Sequence, residues 1–139
     1  MNTKIIGYWV TTGLTAALFL YSGSLDLSYS AAVMEGLAHL GYPLYFPAII
    51  GVWKLLGVAA VLAPRFALLK EWAYAGMIFD LSGAAISHAA SGDDAGKVLT
   101  PIVLMGLVAA SWALRPADRR LAAPVEPPMA RARHAAAHA

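Results

Sequence analysis

Cysteine is absent from the 139 residues. Disulfides, thiolate nucleophiles, iron–sulfur clusters and cysteine-ligated zinc are therefore excluded from the chain's chemistry. Charge is scarce as well. Asp, Glu, Lys and Arg make up 13% of the sequence against 60% apolar residues, where a soluble domain is roughly a quarter charged. A soluble fold of this size would have too few charges to keep its surface wet, whereas lipid covers apolar surface without that need. Catalytic signatures are also missing: there is no nucleophile elbow, phosphate loop, dinucleotide fingerprint or HExxH pair. The pI near 9.0 is largely a property of the arginines at 115, 119, 120, 131 and 133. No aromatic-and-basic face of the kind nucleic acid needs accompanies them.

What the chain does have is apolar runs. A membrane span takes about 20 mostly apolar residues, and four segments approach that, at about 5–22, 45–63, 72–90 and 98–114. Trp9, Tyr45, Trp72, Tyr74 and Trp112 fall near their ends, where amphipathic rings favour the headgroup level. The first run follows Lys4 as a signal peptide would, but it is as long as a span and lacks an A-x-A site, so it reads as a retained helix. Lys4, Arg65, Lys70, Arg115, Arg119 and Arg120 lie on one side of a four-span chain. Asp26, Glu35, Asp93 and Asp94 lie on the other, with Lys97 as its basic residue. That asymmetry places both termini in the cytoplasm, and the location expected is the plasma membrane. The fold class expected is all-α, an integral membrane four-helix bundle over 1–115. In the outer loop between the first two spans, Ser30 caps a short amphipathic helix through Val33, Leu37 and Leu40, which Gly41 and Pro43 stop. Residues 116–139, rich in Ala, Pro and Arg, read as a disordered cytoplasmic tail.

Polar groups inside apolar runs are the informative ones, since a charge at mid-membrane costs ~2.5–3.5 kcal/mol on insertion scales. Lys54 and Asp80 stand out. At ~1.5 Å per residue they lie at matching depths, measured from Tyr45 and from Ala90. Ala73, Gly76, Asp80, Gly83, Ala84 and Ser87 share one face of their helix, while Gly51, Lys54, Gly57, Val58 and Val61 share a face of theirs. Small residues beside a charge let two helices approach, so an ion pair between Lys54 and Asp80 is expected. Such a pair can fix the register of the bundle, hold the polar head of a quinone or lipid, or carry a proton or ion.

A second candidate group lies on the outer side: His88 with Ser87, and His39 with Glu35 four residues before it. A cluster of His88, His39 and Glu35 could bind a metal or hold a quinone carbonyl, or His88 could simply bond a loop carbonyl; no metal site is assigned. Asp93 and Asp94 after Gly92 read as a solvated turn that caps the last helix. Glu71 suits the N-terminal dipole of its helix and could pair with Arg65 or Lys70. His134 and His138, four apart, fall in the tail.

Several of these stretches together resemble the DoxX-like membrane proteins: Ala38-His39-Leu40-Gly41-Tyr42-Pro43, Trp53-Lys54-Leu55-Leu56-Gly57, Lys70-Glu71-Trp72-Ala73-Tyr74-Ala75-Gly76, Ser87-His88 and Gly92-Asp93. The likeness runs from about Ile5 to Pro116, and matching positions include Lys54, Glu71 and His88. It implies a four-helix membrane protein. The wider group is named for a small subunit linked to quinone-dependent oxidoreduction, with some relatives tied to redox-stress complexes or to assembly of other membrane proteins. It defines no cofactor ligands. The reading favoured is a non-catalytic subunit of a redox or quinone-linked membrane system, with the lipid bilayer, a membrane oxidoreductase or a second copy of the chain as partners. The alternatives are a small transporter or ion conduit around Lys54 and Asp80, and a quinone-reactive oxidoreductase.

Overall fold

The computed structural model describes residues 3–121, and no strand occurs among them. The tail histidines and arginines beyond that range, and the expected disorder there, lie outside the described residues. Five helices follow one another: α1 (Thr3–Leu27), α2 (Ala31–His39), α3 (Phe46–Leu62), α4 (Ala67–Ala90) and α5 (Ala95–Ala113), then a single 3-10 turn (Ala117–Arg119). The expectation of an all-α chain holds. α1 packs on α3 and α5, and α4 packs on α5 and α3, so the four long helices form a ring in the order α1, α3, α4, α5. The short α2 rests on α3 and buries no residue of its own.

Local chemistry sets the helix ends. Asp94 caps α5, its Oδ1 accepting from Gly96 N at 2.9 Å and Lys97 N at 3.3 Å. Pro64 forces Ala63 out of the helical region and ends α3. The following Arg65 and Phe66 take positive φ, an uncommon state for residues with a Cβ. Lys70 closes this turn. Its fully buried ammonium donates to Ala60 O at 2.9 Å, to Val61 O at 3.0 Å and to the Ala63 carbonyl. These are carbonyls at the negative end of the α3 dipole, where a cation is stabilising. Gly92, at φ 71°, reverses the chain after α4, and that reversal brings Asp93 back beside His88.

Two expectations need correction. α1 does not stop near Ser22 but runs to Leu27. The Ser22-Gly23-Ser24 stretch looks like a stop, yet no proline interrupts the helix, and packing on α3 carries it on. As a result Asp26 is a buried helical residue and not part of an outer loop. Ser30 precedes α2 with extended geometry, but its side chain makes no capping bond.

The core of Ala16, Phe19, Val58, Val61, Tyr74, Met77, Leu81 and Val108 is thin. Buried beside it are the polar Thr12, Thr15, Asp26, Lys70, Ser111 and Arg115, while Trp9, Leu14, Leu20, Ile49, Leu62, Ile86 and Val103 face outward. α1 and α5 are long and apolar enough to cross a membrane, and only 22% and 17% of their apolar windows are buried. A core helix of a soluble protein would be mostly buried. α3, at 17 residues, is shorter, and Lys70, Glu71 and Asp80 dilute α4.

The tightest glycine contacts between helices join α1 to α3 at Gly23 and Gly51. A methyl group on Gly51 would lie 2.9 Å from Leu27 Cγ and 3.0 Å from both Asp26 Cβ and the Gly23 carbonyl. Gly51→Ala should therefore destabilise the fold by about 1–3 kcal/mol through overpacking. Gly13→Ala, where an added methyl group meets nothing within 4 Å, should be neutral or slightly stabilising. Thermal unfolding in detergent micelles compares the two, and equal midpoints would rule out the crossing.

Candidate functional site: a charged cluster on an aromatic cleft

The glycine crossing determines what surrounds Lys54. Across the crossing Gly23 faces Lys54 and Gly51 faces Asp26, so the close approach of the two backbones brings these two side chains together. Lys54 Nζ donates to Asp26 Oδ2 at 2.8 Å and to Ser22 Oγ at 2.8 Å. Asp80 Oδ2 stands farther off, at 3.9 Å. The three side chains retain 15% (Lys54), 8% (Asp26) and 20% (Asp80) of their exposure. The expected partner of Lys54 was Asp80. Its principal partner is Asp26, and Asp80 is a second, looser neighbour. The site thus holds two acids and one base, with Asp80 the less committed acid.

The small-residue face of α4 does not bring α4 close to α3, as the sequence suggested. Methyl groups added at Gly76 or Gly83 would meet nothing within 4 Å. The space they leave is a cleft of about 580 Å³ between α3 and α4. Phe46, Trp53, Trp72 and Phe79 line it, Lys54 and Asp80 supply its charge, and Leu37 of α2 together with Tyr42 borders it toward the outer loop. Clefts of about 300–1,000 Å³ with aromatic walls and a few converging polar groups are typical of small-molecule sites.

The second candidate group is rearranged. His39 Nε2 and His88 Nδ1 both reach Asp93, at 3.0 and 2.7 Å, and Lys97 Nζ joins them at 3.1 Å. Asp93 is therefore not a solvated turn but the hub that ties α2, α4 and α5 together. Ser87 Oγ pairs with Tyr42 OH at 2.7 Å, which pins the α2–α3 loop to α4. Glu35 stays exposed on α2, away from this hub. Among the described residues no group of three His, Cys, Asp or Glu side chains could hold a metal ion.

At the opposite end Glu71 pairs with neither Arg65 nor Lys70. It accepts from Arg115 Nη2 at 2.7 Å and Trp112 Nε1 at 2.8 Å, clamping α4 to the end of α5. Lys70 is already committed to the α3 carbonyls. Inward from this clamp, Ser111 Oγ lies 2.7 Å from both Tyr74 OH and Thr12 Oγ1.

Sequence reasoning missed Asp26 and Ser22. The available signal was their spacing of four, which puts both on one face if the first helix continues past Ser24.

Apolar helices turned outward, enclosing a buried charged cluster, define a small helical protein of the membrane class. The DoxX-like family profile matches residues 10–111, and the chain belongs to that family. The match covers the cluster, the cleft and the Asp93 hub. Neither the curated proteins nor the solved structures returned a match.

Two outcomes follow from this geometry. Lys54→Met leaves two buried carboxylates without a counter-charge, whereas Asp26→Asn leaves one acid and one base. The lysine variant should lose about 3–5 kcal/mol and the asparagine variant clearly less, by thermal unfolding in detergent. The reverse order would sink the pairing.

For Asp93, hydrogen bonds from His88 first, then Lys97 and His39, hold the carboxyl well below the usual carboxylate range. Folding depresses this pKa, so the stabilisation is fully present above the ordinary aspartate value of about 3.9 and is lost as pH falls toward the folded value. Acid unfolding followed by helical circular dichroism should be shifted in Asp93→Asn. An unchanged acid limb would contradict the hub.

Proposed function

We propose that this DoxX-like protein is a multi-pass protein of the plasma membrane with both termini cytoplasmic. In this reading it serves as a non-catalytic subunit of a redox or quinone-linked system and holds a lipid-soluble molecule in the α3–α4 cleft. The cleft carries the proposal: an aromatic-walled space of about 580 Å³ with Lys54 and Asp80 on its wall. A quinone ring suits it. The aromatic side chains offer stacking, and the Lys54 N–H not used by Asp26 or Ser22 can donate to a ring carbonyl. Asp80 can accept from the hydroxyl of the reduced form. The tail of such a molecule would leave between the helices into lipid.

The outward apolar surface supports the membrane setting, and the charge distribution supports the orientation. Lys4, Arg65, Arg115 and Arg119 gather at one end, while Glu35, Asp93 and Asp94 lie at the other. α4 accepts its three charges because each has a partner: Lys70 on the α3 carbonyls, Glu71 on Arg115, and Asp80 beside Lys54.

Trp53 and Trp72 line the cleft, whereas Trp9 and Trp112 sit by Arg119 and Glu71. A short-chain benzoquinone titrated into the detergent-solubilised protein should quench tryptophan emission saturably. The quenching should shrink in Trp53→Phe/Trp72→Phe. Affinity should fall roughly tenfold or more in Lys54→Met, since a hydrogen bond to a charged group contributes about 1.5–3 kcal/mol. Phe79→Ala, which leaves the charges untouched, should also weaken binding. Linear, unsaturable quenching in the unaltered protein would overturn the reading.

A further inference from the structure

Lys54 and Asp80 also border a second, half-open pocket. About 200 Å³ in volume, it lies on their other side among α1, α4 and α5. Its walls are mainly Leu18, Leu81, Leu104, Leu107 and Val108, but Thr15, Ser22, Lys54 and Asp80 give it a polar rim. Thr15 is 1% exposed, and its hydroxyl has no hydrogen-bond partner among the described residues. A buried hydroxyl is costly unless water or another polar group satisfies it. A water molecule occupies ~30 Å³ and needs two to four polar partners, so this chamber has room for several.

Other buried hydroxyls lie farther along α1, outside the lining of the pocket. One turn before Thr15, Thr12 Oγ1 lies 2.7 Å from Ser111 Oγ, which lies 2.7 Å from Tyr74 OH. Nearer the arginine-bearing end, Arg119 Nη1 donates to Tyr8 OH at 3.3 Å. Tyr8, Thr12, Thr15 and Ser111 are all fully buried. Hydroxyls both donate and accept, so such a file can pass protons along it where apolar packing cannot.

We propose that the chamber is hydrated and that, with the Tyr74–Ser111–Thr12 hydroxyls, it forms an internal path exchanging protons with Asp80. Asp80 then stands between a wet chamber and the ligand cleft. The step is a simple transfer. The Asp80 carboxyl O–H bond breaks, the proton passes to a chamber water, and the carboxylate remains beside Lys54; the reverse step restores the acid. The charged groups facing Asp80 are Lys54 on α3 and Asp26 on α1, while α5 offers the chamber only Leu104, Leu107 and Val108. Only the identity of the group served from the cleft rests on the function proposed above, and the chamber is testable without any ligand.

Two measurements on the full chain in detergent test it. In the first, X-ray radiolytic labelling in heavy-oxygen water marks side chains beside bound water. Leu81 and Leu107 should be labelled in the unaltered protein and several-fold less in Thr15→Val, which removes a hydroxyl but no packing volume. In the second, pH-jump infrared difference spectra should contain a carboxyl band that is absent in Asp80→Asn. Its hydrogen–deuterium exchange should slow at least tenfold in Thr15→Val and in Ser111→Ala. An unlabelled Leu81 in the unaltered protein, or exchange at the unaltered rate in Thr15→Val, would overturn the path whether or not benzoquinone binds. If benzoquinone fails to bind while labelling and exchange behave as described, the cleft reading falls and the chamber stands.

Discussion

A lysine in the middle of an apolar helix must be neutralised, and here the neutralisation depends on two glycines. Gly23 and Gly51 let α1 and α3 approach until a single methyl group would collide with the other helix. Across that crossing Lys54 reaches both Asp26 and Ser22 at hydrogen-bond distance. With α1 and α3 tightly joined, α4 stands against α3 with a gap, and the gap is the cleft. The Lys54–Asp26 contact follows from that close crossing, and Asp80 stands at its edge.

The two ends of the ring are closed by different chemistry. At one end Asp93 gathers two histidines and a lysine from three elements, and a hydroxyl pair fixes the α2–α3 loop. At the other, Lys70 ties off α3 and the Glu71–Arg115–Trp112 group clamps α4 to α5. Charge is rare in this chain, and most of it serves at a junction between elements. That distribution suits a protein whose outer surface is apolar, because charges that point inward or lie at the ends do not disturb a lipid-facing wall.

The helices were legible because their signals are local. Apolar runs, Pro64, Gly92 and the Asp94 cap each act within a few residues. The site was legible in part. Lys54 and Asp80 stand out because charges within apolar runs are rare, and matched depth correctly placed them in one layer. Their pairing was misjudged because Ser22-Gly23-Ser24 looks like a helix end, which removed Asp26 from consideration. In fact those small residues mark a helix crossing. The cleft was hidden for a related reason, since a stripe of small residues reads equally as a tight contact or as an open space, and only the packing of the other helices decides between them. The Asp93 hub and the Glu71–Arg115 clamp join residues distant in sequence or depend on a turn that composition does not specify.

The Asp26–Lys54 pair also bears on how such a chain comes to be inserted. Its two members lie in the first half of the sequence, on helices separated only by the short α2. As the chain emerges from the ribosome, α1 and α3 can cancel each other's buried charge before α4 has been made. The buried charges of α1 and α3 are thereby already matched, and Asp80 of α4 arrives at a lysine that is already in place. The order in which the chain is synthesised thus matches the order in which its buried charges find their partners.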